Sequence, residues 1–178
     1  MTQEAKLIDI GRGLAPDGDG WFVVNVRDTA WFRNDDFGSS ALFQEPSRAP
    51  QLGVNLGVLE PGKPNCLYHE ESEQEAFLVL SGECTLIVDG QERQLRAWDF
   101  FHCPPGTRHV FVGAGSEPCA VIFIGARRED GTVLYPHDEV AARYGASAAE
   151  DTDDPQVAYA GRAEYVPAPA PEGMPWNS

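Results

Sequence analysis

A histidine surrounded by carboxylates lies immediately before a strongly apolar segment. Residues 68–83 read YHEESEQEAFLVLSGE, with His69 as the one imidazole and glutamates at positions 70, 71, 73 and 75. Residues two apart on a strand face the same side, so His69 and Glu71 share a face if the segment is extended. We expect Glu75, which begins the apolar run, and every second residue after it to point toward the interior. A buried carboxylate is costly unless it is neutralised or paired, so the pattern indicates a divalent cation.

A second histidine follows a proline-rich turn. Residues 104–106 are Pro-Pro-Gly, and His109 begins the next apolar strand, where it shares a face with Phe111. We expect an antiparallel barrel to bring this strand beside the one carrying Glu75. The candidate metal ligands are His69, Glu71, Glu75 and His109. Imidazole nitrogens and carboxylate oxygens suit zinc, iron, manganese or nickel, and the two carboxylates would offset the charge of one such ion. The alternative is a metal-free barrel in which Glu71 is solvated and the histidines form local hydrogen bonds.

Other polar residues flank these segments. His102 lies in an apolar strand before the turn and is a candidate acid or base in the pocket, although a buried histidine with satisfied hydrogen bonds is the alternative. Tyr68 and Arg108 flank the ligand positions, but their strand parity turns them away from the ligand face. Cys66 and Cys103 neighbour the histidines. The four cysteines form no CxxC pair, so we interpret them as packing residues.

Composition excludes several classes of function. The chain has 178 residues, a formal net charge of -15 and a pI of about 4.5. This charge repels phosphate backbones and anionic lipids, so we expect no nucleic-acid partner and no membrane partner. No apolar run approaches the roughly 20 residues of a membrane helix, and the first residues lack the pattern of a secretory signal. We therefore expect a cytoplasmic protein with a small-molecule ligand.

The periodicity of the chain predicts an all-β fold. Short apolar segments with period-two alternation recur every eight to twelve residues between turn signals, which is typical of an antiparallel sandwich or barrel. Asp89-Gly90 joins two of these segments and predicts a tight hairpin. No strand alternates with a crossover helix, which excludes a parallel nucleotide-binding sheet.

Three regions are expected along the chain. Residues 1–50 form an aromatic β extension that packs on the barrel or swaps with a partner chain, and residues 51–136 form the barrel. Residues 137–178 contain a short helix and an acidic, proline-rich tail, which we predict to be extended or disordered. The alternative is that Tyr165, Val166 and Trp176 dock the tail onto the barrel or a second subunit.

The two histidine segments resemble the two motifs of the cupin superfamily, most closely those of single-domain bacterial cupins. Gly62, His69, Glu71, Glu75 and Gly82 follow the first motif, and Pro104, Gly106 and His109 follow the second. The chain departs from the motifs at four positions. Glu71 stands at the second histidine position, and His69 lies one residue further from Gly62 than the motif's spacing requires. Strict spacing would instead place Tyr68 and Glu70 at the ligand positions. Trp98 replaces a glycine, and Gly113 replaces an asparagine.

This resemblance implies a single double-stranded β-helix, or jelly-roll barrel, that holds one divalent metal ion. It permits a mononuclear metalloenzyme of the dioxygenase or isomerase type that acts on a small polar molecule. A non-catalytic barrel that binds a sugar-like molecule, or a structural barrel, is the alternative, so enzymatic activity is left open. The aromatic N-terminal segment and the edge strands of a small barrel are natural pairing surfaces. The resemblance to cupins of this size also implies a dimer, so we expect a homodimer.

Overall fold

Antiparallel strands make up most of the protein. The computed structural model describes residues 3–43 and 51–177. The strands of these residues are β1 Lys6–Asp9, β2 Leu14–Asp17, β3 Ala30–Asn34, β4 Gly38–Leu42, β5 Leu52–Leu59, β6 Glu70–Glu71, β7 Glu75–Ser81, β8 Glu83–Val88, β9 Gln91–Arg96, β10 Phe100–Cys103, β11 His109–Ala114, β12 Cys119–Ala126, β13 Val133–Leu134 and β14 Val166–Ala168. Two short helices, α1 Glu139–Ala142 and α2 Pro155–Ala158, and a 3-10 helix, Pro175–Asn177, follow the barrel strands. None of these helices is long and apolar enough to cross a membrane.

Two sheets form the body of the jelly roll. The large sheet has the strand order β10-β7-β12-β5-β4-β3-β14, and the small sheet has the order β11-β8-β9. All neighbouring strands in both sheets are antiparallel. The all-β prediction is therefore confirmed. The order of the strands also shows that β11 and β7 lie in different sheets, so the expectation that these two strands are neighbours is wrong.

The tight turn between β8 and β9 sets the register in which these two strands of the small sheet pair. Asp89 and Gly90 adopt positive φ angles of 46° and 70°, which is the conformation that a two-residue hairpin turn requires. Glu83 to Val88 then pair in register with Arg96 to Gln91. The turn predicted at Asp89-Gly90 is confirmed.

The main core lies between the two sheets and consists of alternate residues of the facing strands. It contains Leu59, Phe77, Val79, Cys84, Leu86, Cys103, Phe111, Cys119 and Val121. On β7 these inward positions continue directly from Glu75, as period-two alternation predicts. Three of the four cysteines are buried in this core as free thiols, which agrees with their interpretation as packing residues.

The outer face of the small sheet is covered by the segment around α1. Asp138 caps this helix, since its carboxylate accepts the backbone N–H groups of Val140 and Ala141. Ala141 then packs in a cluster with Ile87 and Val110. β8 and β11 are therefore buried on both faces, whereas β9 is largely exposed. Tyr68 of the same cluster holds the loop that carries His69 against the barrel.

The outer face of the large sheet is partly covered by the C-terminal segment. β14 pairs with β3 at the edge of the sheet, and Trp176 lies with its ring centroid 5.4 Å from that of Trp31. Met174 is buried in the same cluster. The prediction of a disordered tail is therefore wrong, because aromatic stacking and strand pairing offset the entropy cost of ordering this proline-rich segment. The alternative, in which the tail docks onto the barrel, is what the structure shows.

The N-terminal region joins the same sheet. β3 and β4 extend it beyond β5, so this part of the extension packs on the barrel within one chain. The boundary predicted at residue 50 lies outside the described residues. Residues 21–26, which we expected to be β-like, form only an isolated bridge at Trp21 and a turn.

Replacing the tryptophan that receives the tail tests this packing. Trp31 is 1% exposed, and its indole N–H donates to the carbonyl of Val26 at 2.8 Å. We expect Trp31→Ala to lower the free energy of unfolding by about 3–5 kcal/mol in urea denaturation, because it leaves a large cavity. Val23→Ala is the control, since Val23 is 76% exposed and lies outside the strands, so its loss should change stability by less than about 0.5 kcal/mol. Similar losses for the two variants would contradict the packing described here.

Candidate metal centre

Backbone pairing brings the two predicted histidines together. His69 and His109 form an antiparallel bridge, in which the N–H of each donates to the carbonyl of the other at 3.1 and 2.8 Å. Directly opposed residues of such a pair project their side chains from the same face. The two imidazole rings accordingly lie 4.7 Å apart between centroids. The loop that carries His69 thus acts as a short additional strand beside β11.

Each imidazole is oriented by a carbonyl of its own loop. Nδ1 of His69 lies 2.7 Å from the carbonyl oxygen of Leu67, and Nδ1 of His109 lies 3.1 Å from that of Thr107. Because a carbonyl only accepts, Nδ1 carries the proton in both rings and Nε2 keeps its lone pair. Hydrogen bonds of this kind fix the tautomer and the orientation of histidines that bind metals.

Glu75 completes a cluster of three potential metal ligands. Its carboxylate oxygen Oε2 lies 3.4 Å from Nε2 of His109, and one ligand atom from each of His69, Glu75 and His109 lies within 4.8 Å of the others. Glu75 is the first residue of β7 and is flanked by Gly125 of β12. A Cβ atom at Gly125 would lie 3.8 Å from the Glu75 side chain, so Gly125 lies directly beside the carboxylate.

Burial sets the charge state of this cluster in the absence of a cation. Desolvation, followed by the nearby charge of Glu71, raises the pKa of Glu75 to about 8. Desolvation, followed by the charge of His69, lowers the pKa of His109 to about 3, and burial also lowers the pKa of His69. The contact between Glu75 and His109 is therefore not a salt bridge at neutral pH. It joins a protonated carboxyl group to a neutral imidazole.

Glu71 lies near the cluster but outside it. The set of ligand atoms within 4.8 Å of one another does not include its carboxylate, although Glu71 lines the same cavity. Its negative charge favours protonation of both Glu75 and His69, so it acts on the cluster through space. Its role as a fourth metal ligand stays a prediction.

His102 does not line the cavity. It is exposed on β10, while its neighbours Phe101 and Cys103 point toward the core. The suggestion that His102 serves as an acid or base in the pocket is therefore wrong, because strand parity turns its ring outward. Tyr68 is buried beneath α1, and Arg108 forms an ion pair with Glu70 at 2.8 Å; both lie off the ligand face, as predicted.

Two cysteines lie behind the histidines. Sγ of Cys66 is 3.6 Å from Nδ1 of His69, and Sγ of Cys103 is 3.5 Å from Nδ1 of His109. Desolvation is the largest cause that raises the pKa of both thiols, that of Cys103 to about 12. Both stay protonated at neutral pH and approach the nitrogens that face away from the cluster, so they support the imidazoles by packing.

A cavity of about 300 Å³ lies in front of the three clustered side chains. Its floor is aromatic, with Phe77 and Phe123 in edge-to-face contact at 5.6 Å. Its further walls include Asn55 of β5 and three tyrosines, Tyr135, Tyr159 and Tyr165. Sequence reasoning missed these residues. A signal existed only for Asn55, the one polar residue in the apolar alternation of its strand. The tyrosines lie in segments without such a pattern.

Sequence comparison matches residues 55–125 to the Cupin domain family. The chain carries a cupin domain. The match includes every residue of the three-membered cluster and both resembling motifs. It also explains the geometry at Trp98, which stands at the glycine position of the second motif. Trp98 has a φ angle of 76° and is 74% exposed, so the backbone keeps a conformation that favours glycine.

Several solved structures are similar to the chain. The polyketide cyclase RemF from Streptomyces resistomycificus is 15% identical, with a TM-score of 0.52, over 60% of this chain and 79% of its own length. Two further similar structures are a proposed sugar phosphate isomerase from Acidithiobacillus ferrooxidans (32% identity, TM-score 0.45) and a cupin-superfamily sugar phosphate isomerase from Silicibacter pomeroyi (23%, 0.49). They cover 47% and 75% of this chain, and 55% and 80% of their own lengths. No curated protein sequence matches the chain. RemF therefore supports the fold, and none of these likenesses defines an activity.

The raised pKa of Glu75 predicts a pH dependence of stability in protein stripped of metal. Between its ordinary value of 4.5 and about 8, the carboxyl group ionises in the unfolded chain but stays protonated in the folded one. The stability that the protonated carboxyl group contributes is therefore fully present below pH 4.5 and is lost as pH rises toward 8. Glu75→Gln removes this titrating group. The free energy of unfolding of the variant, relative to that of wild type, should therefore rise by about 2–4 kcal/mol between pH 5 and pH 8.

Chemical denaturation of the chelator-treated proteins measures this difference. Glu117→Gln is the control, because Glu117 is an exposed carboxylate outside the cavity. Parallel stability profiles for wild type and Glu75→Gln across this pH range would show that the carboxyl group is not desolvated.

Proposed function

We propose that the cupin domain binds one divalent metal ion through His69, Glu75 and His109, and that the metal centre binds or converts a small polar molecule in the adjoining cavity. The observation that carries this proposal is the convergence of the three ligand atoms within 4.8 Å. Two imidazoles and one carboxylate suit zinc, iron(II), manganese or nickel.

The residues present fit such an ion. Two ligand atoms at about 2.1 Å from one metal ion lie up to about 4.2 Å apart, and Nε2 of His109 and Oε2 of Glu75 are 3.4 Å apart. The lone pairs of both Nε2 atoms are free of backbone partners, since Nδ1 makes the carbonyl hydrogen bonds. A cation would also keep Glu75 ionised, because it supplies the charge that the buried carboxylate lacks.

We propose Glu71 as the further ligand or as a charge that balances the ion. With Glu71 and Glu75 both ionised, their combined charge of -2 would offset a divalent cation. A bound ion of this kind supplies a Lewis acid, or a centre for oxygen chemistry if it is iron. The chain itself supplies the orientation of the imidazoles, an aromatic floor that excludes water, and polar groups on the opposite wall.

The cavity favours this function over a purely structural metal site. Structural sites are closed by four protein ligands, whereas catalytic and ligand-binding sites keep a position open. The three clustered side chains face a cavity of about 300 Å³, which leaves room for a small molecule beside the ion. Binding without turnover remains the second candidate, and the same cavity supports it. We also propose a soluble, cytoplasmic setting, which the strongly acidic composition supports.

Elemental analysis tests the metal site. Protein purified without a histidine tag should contain about one equivalent of zinc, iron, manganese or nickel, or should take it up on reconstitution. His109→Ala should lose at least about tenfold in metal affinity, because it removes one ligand and leaves Glu75 without a neighbouring donor. His102→Ala is the matched control, since this exposed histidine lies outside the cavity and should retain the metal.

Two results would reject the proposal. One is a wild-type protein that holds no metal after reconstitution with each of the four ions. The other is equal metal retention by His109→Ala and His102→Ala, which would place the ion elsewhere.

We further propose that the protein is a homodimer. β10 lies at one edge of the large sheet and exposes 63% of Phe100 beside the 74% exposed Trp98. An edge strand that carries exposed aromatic residues is a natural surface for a second copy of the chain. Light scattering at micromolar concentration should give twice the chain mass of 19.4 kDa, and Phe100→Glu should give the monomer. A monomeric wild-type protein would end this proposal.

A further inference from the structure

Three tyrosines that lie outside the cupin domain form one wall of the cavity. Tyr135, Tyr159 and Tyr165 all follow residue 125, where the family match ends, yet all three line the cavity with the clustered histidines. We call them the tyrosine wall. The residues that match the family model therefore do not supply this wall.

The position of the tyrosine wall is fixed by packing. The ring of Tyr159 lies 5.5 Å from that of Phe37 and 5.5 Å from that of Tyr135, both in edge-to-face arrangements. Tyr165 immediately precedes β14, which is hydrogen-bonded to β3. These contacts hold the phenol rings in place before a ligand enters, so little ordering is needed on binding.

A hydrogen-bonded path connects this wall to a candidate ligand of the metal. The N–H of Leu67 donates to the hydroxyl oxygen of Tyr159 at 3.2 Å, while the carbonyl of the same Leu67 accepts from Nδ1 of His69 at 2.7 Å. The ring of Tyr159 also packs edge-to-face against that of Tyr135, with their centroids 5.5 Å apart. Tyr159 therefore contacts both the loop of His69 and the neighbouring tyrosine.

Tyr135 is a member of the tyrosine wall that lies close to the metal-ligand cluster. Its ring centroid is 6.0 Å from that of His69, and its side chain lines the same cavity. A phenol is protonated at neutral pH, so this group is a hydrogen-bond donor.

The charges around the cavity are unsuited to an anionic ligand. Of the described residues that line it, Glu71 and Glu75 are acidic and none is lysine or arginine. Two carboxylates would leave no net positive charge around a divalent cation. Arg127 lines an adjoining recess with Gly53, and this recess shares both glutamates.

On the basis of the metal site proposed above, we propose that Tyr135 donates a hydrogen bond to an oxygen of the metal-bound ligand, and that the tyrosine wall selects an uncharged, oxygen-bearing ring compound over a phosphorylated one. The aromatic floor at Phe77 and Phe123 provides the apolar surface for the ring. Tyr159 is a positioning residue, since it acts through Tyr135 and through Leu67.

Equilibrium dialysis of the full chain with two probes tests this assignment. Catechol is an uncharged ring that carries two oxygens at neutral pH, and inorganic phosphate is an anion with oxygens but no ring. We expect cobalt(II)-loaded protein to bind catechol at least about tenfold more tightly than phosphate. Tyr135→Phe keeps the ring and removes one hydrogen bond, so it should weaken catechol binding about three- to tenfold while leaving cobalt stoichiometry and the unfolding temperature unchanged.

Tyr144→Phe is the matched control. The hydroxyl of Tyr144 donates to Glu92 at 3.1 Å on the outside of the small sheet, so its loss should leave catechol binding unchanged. Tyr159→Phe should weaken catechol binding less than Tyr135→Phe. Equal binding of the two probes, or tighter binding of phosphate, would overturn the proposed ligand class and direct attention to Arg127. Unchanged catechol binding by Tyr135→Phe would overturn the role of its hydroxyl.

A failure of the proposed metal site can be distinguished from a failure of the proposed tyrosine wall. If the wild-type protein takes up no cobalt, the metal site is rejected, and the two probes are then compared by dialysis of the metal-free chain. A preference for catechol over phosphate that is lost in Tyr135→Phe would then uphold the tyrosine wall. The absence of such a preference would overturn it as well.

Discussion

The burial of the Glu75 carboxyl group at the end of an aromatic core is the constraint on which the candidate site depends. A carboxylate in this position must take up a proton, as the raised pKa indicates for the metal-free state, or must find a cation. The nearest basic groups are neutral imidazoles, which cannot supply that charge because burial also holds them unprotonated. The fold therefore keeps a buried carboxyl group whose desolvation cost a divalent ion would offset.

The surrounding architecture serves to hold this group and its neighbours. β7 places Glu75 in the large sheet, whereas His109 projects from β11 in the small sheet, so the site spans the two layers of the jelly roll. The bridge between His69 and His109 then attaches a loop to the small sheet through two backbone hydrogen bonds. Side chains from distant parts of the sequence thus converge because both sheets meet at one end of the barrel.

Much of this arrangement was predictable from the sequence, and the remainder depends on tertiary contacts. The alternation from Glu75 onward and the Asp89-Gly90 turn are local signals, and the structure confirms both. The orientation of His102 was not predictable, because apolar residues occupy both parities of its strand: Phe100 is exposed and Phe101 is inward. The tyrosine wall gave no signal as a cavity lining, since its residues lie more than 60 positions from His69. Tyr135 is placed by the pairing of β13 with β6, and Tyr165 by the pairing of β14 with β3.

X-ray absorption spectroscopy of the metal-loaded protein tests the central claim most directly, because it reports the atoms bound to the ion. The account predicts a first shell of nitrogen and oxygen at about 2.0–2.2 Å, with the outer-shell scattering of two imidazole rings. Glu75→Gln should change the oxygen contribution and leave the two imidazoles. A sulfur at about 2.3 Å would contradict the account, because it would mean that Cys66 or Cys103, and not the clustered carboxylate, binds the ion.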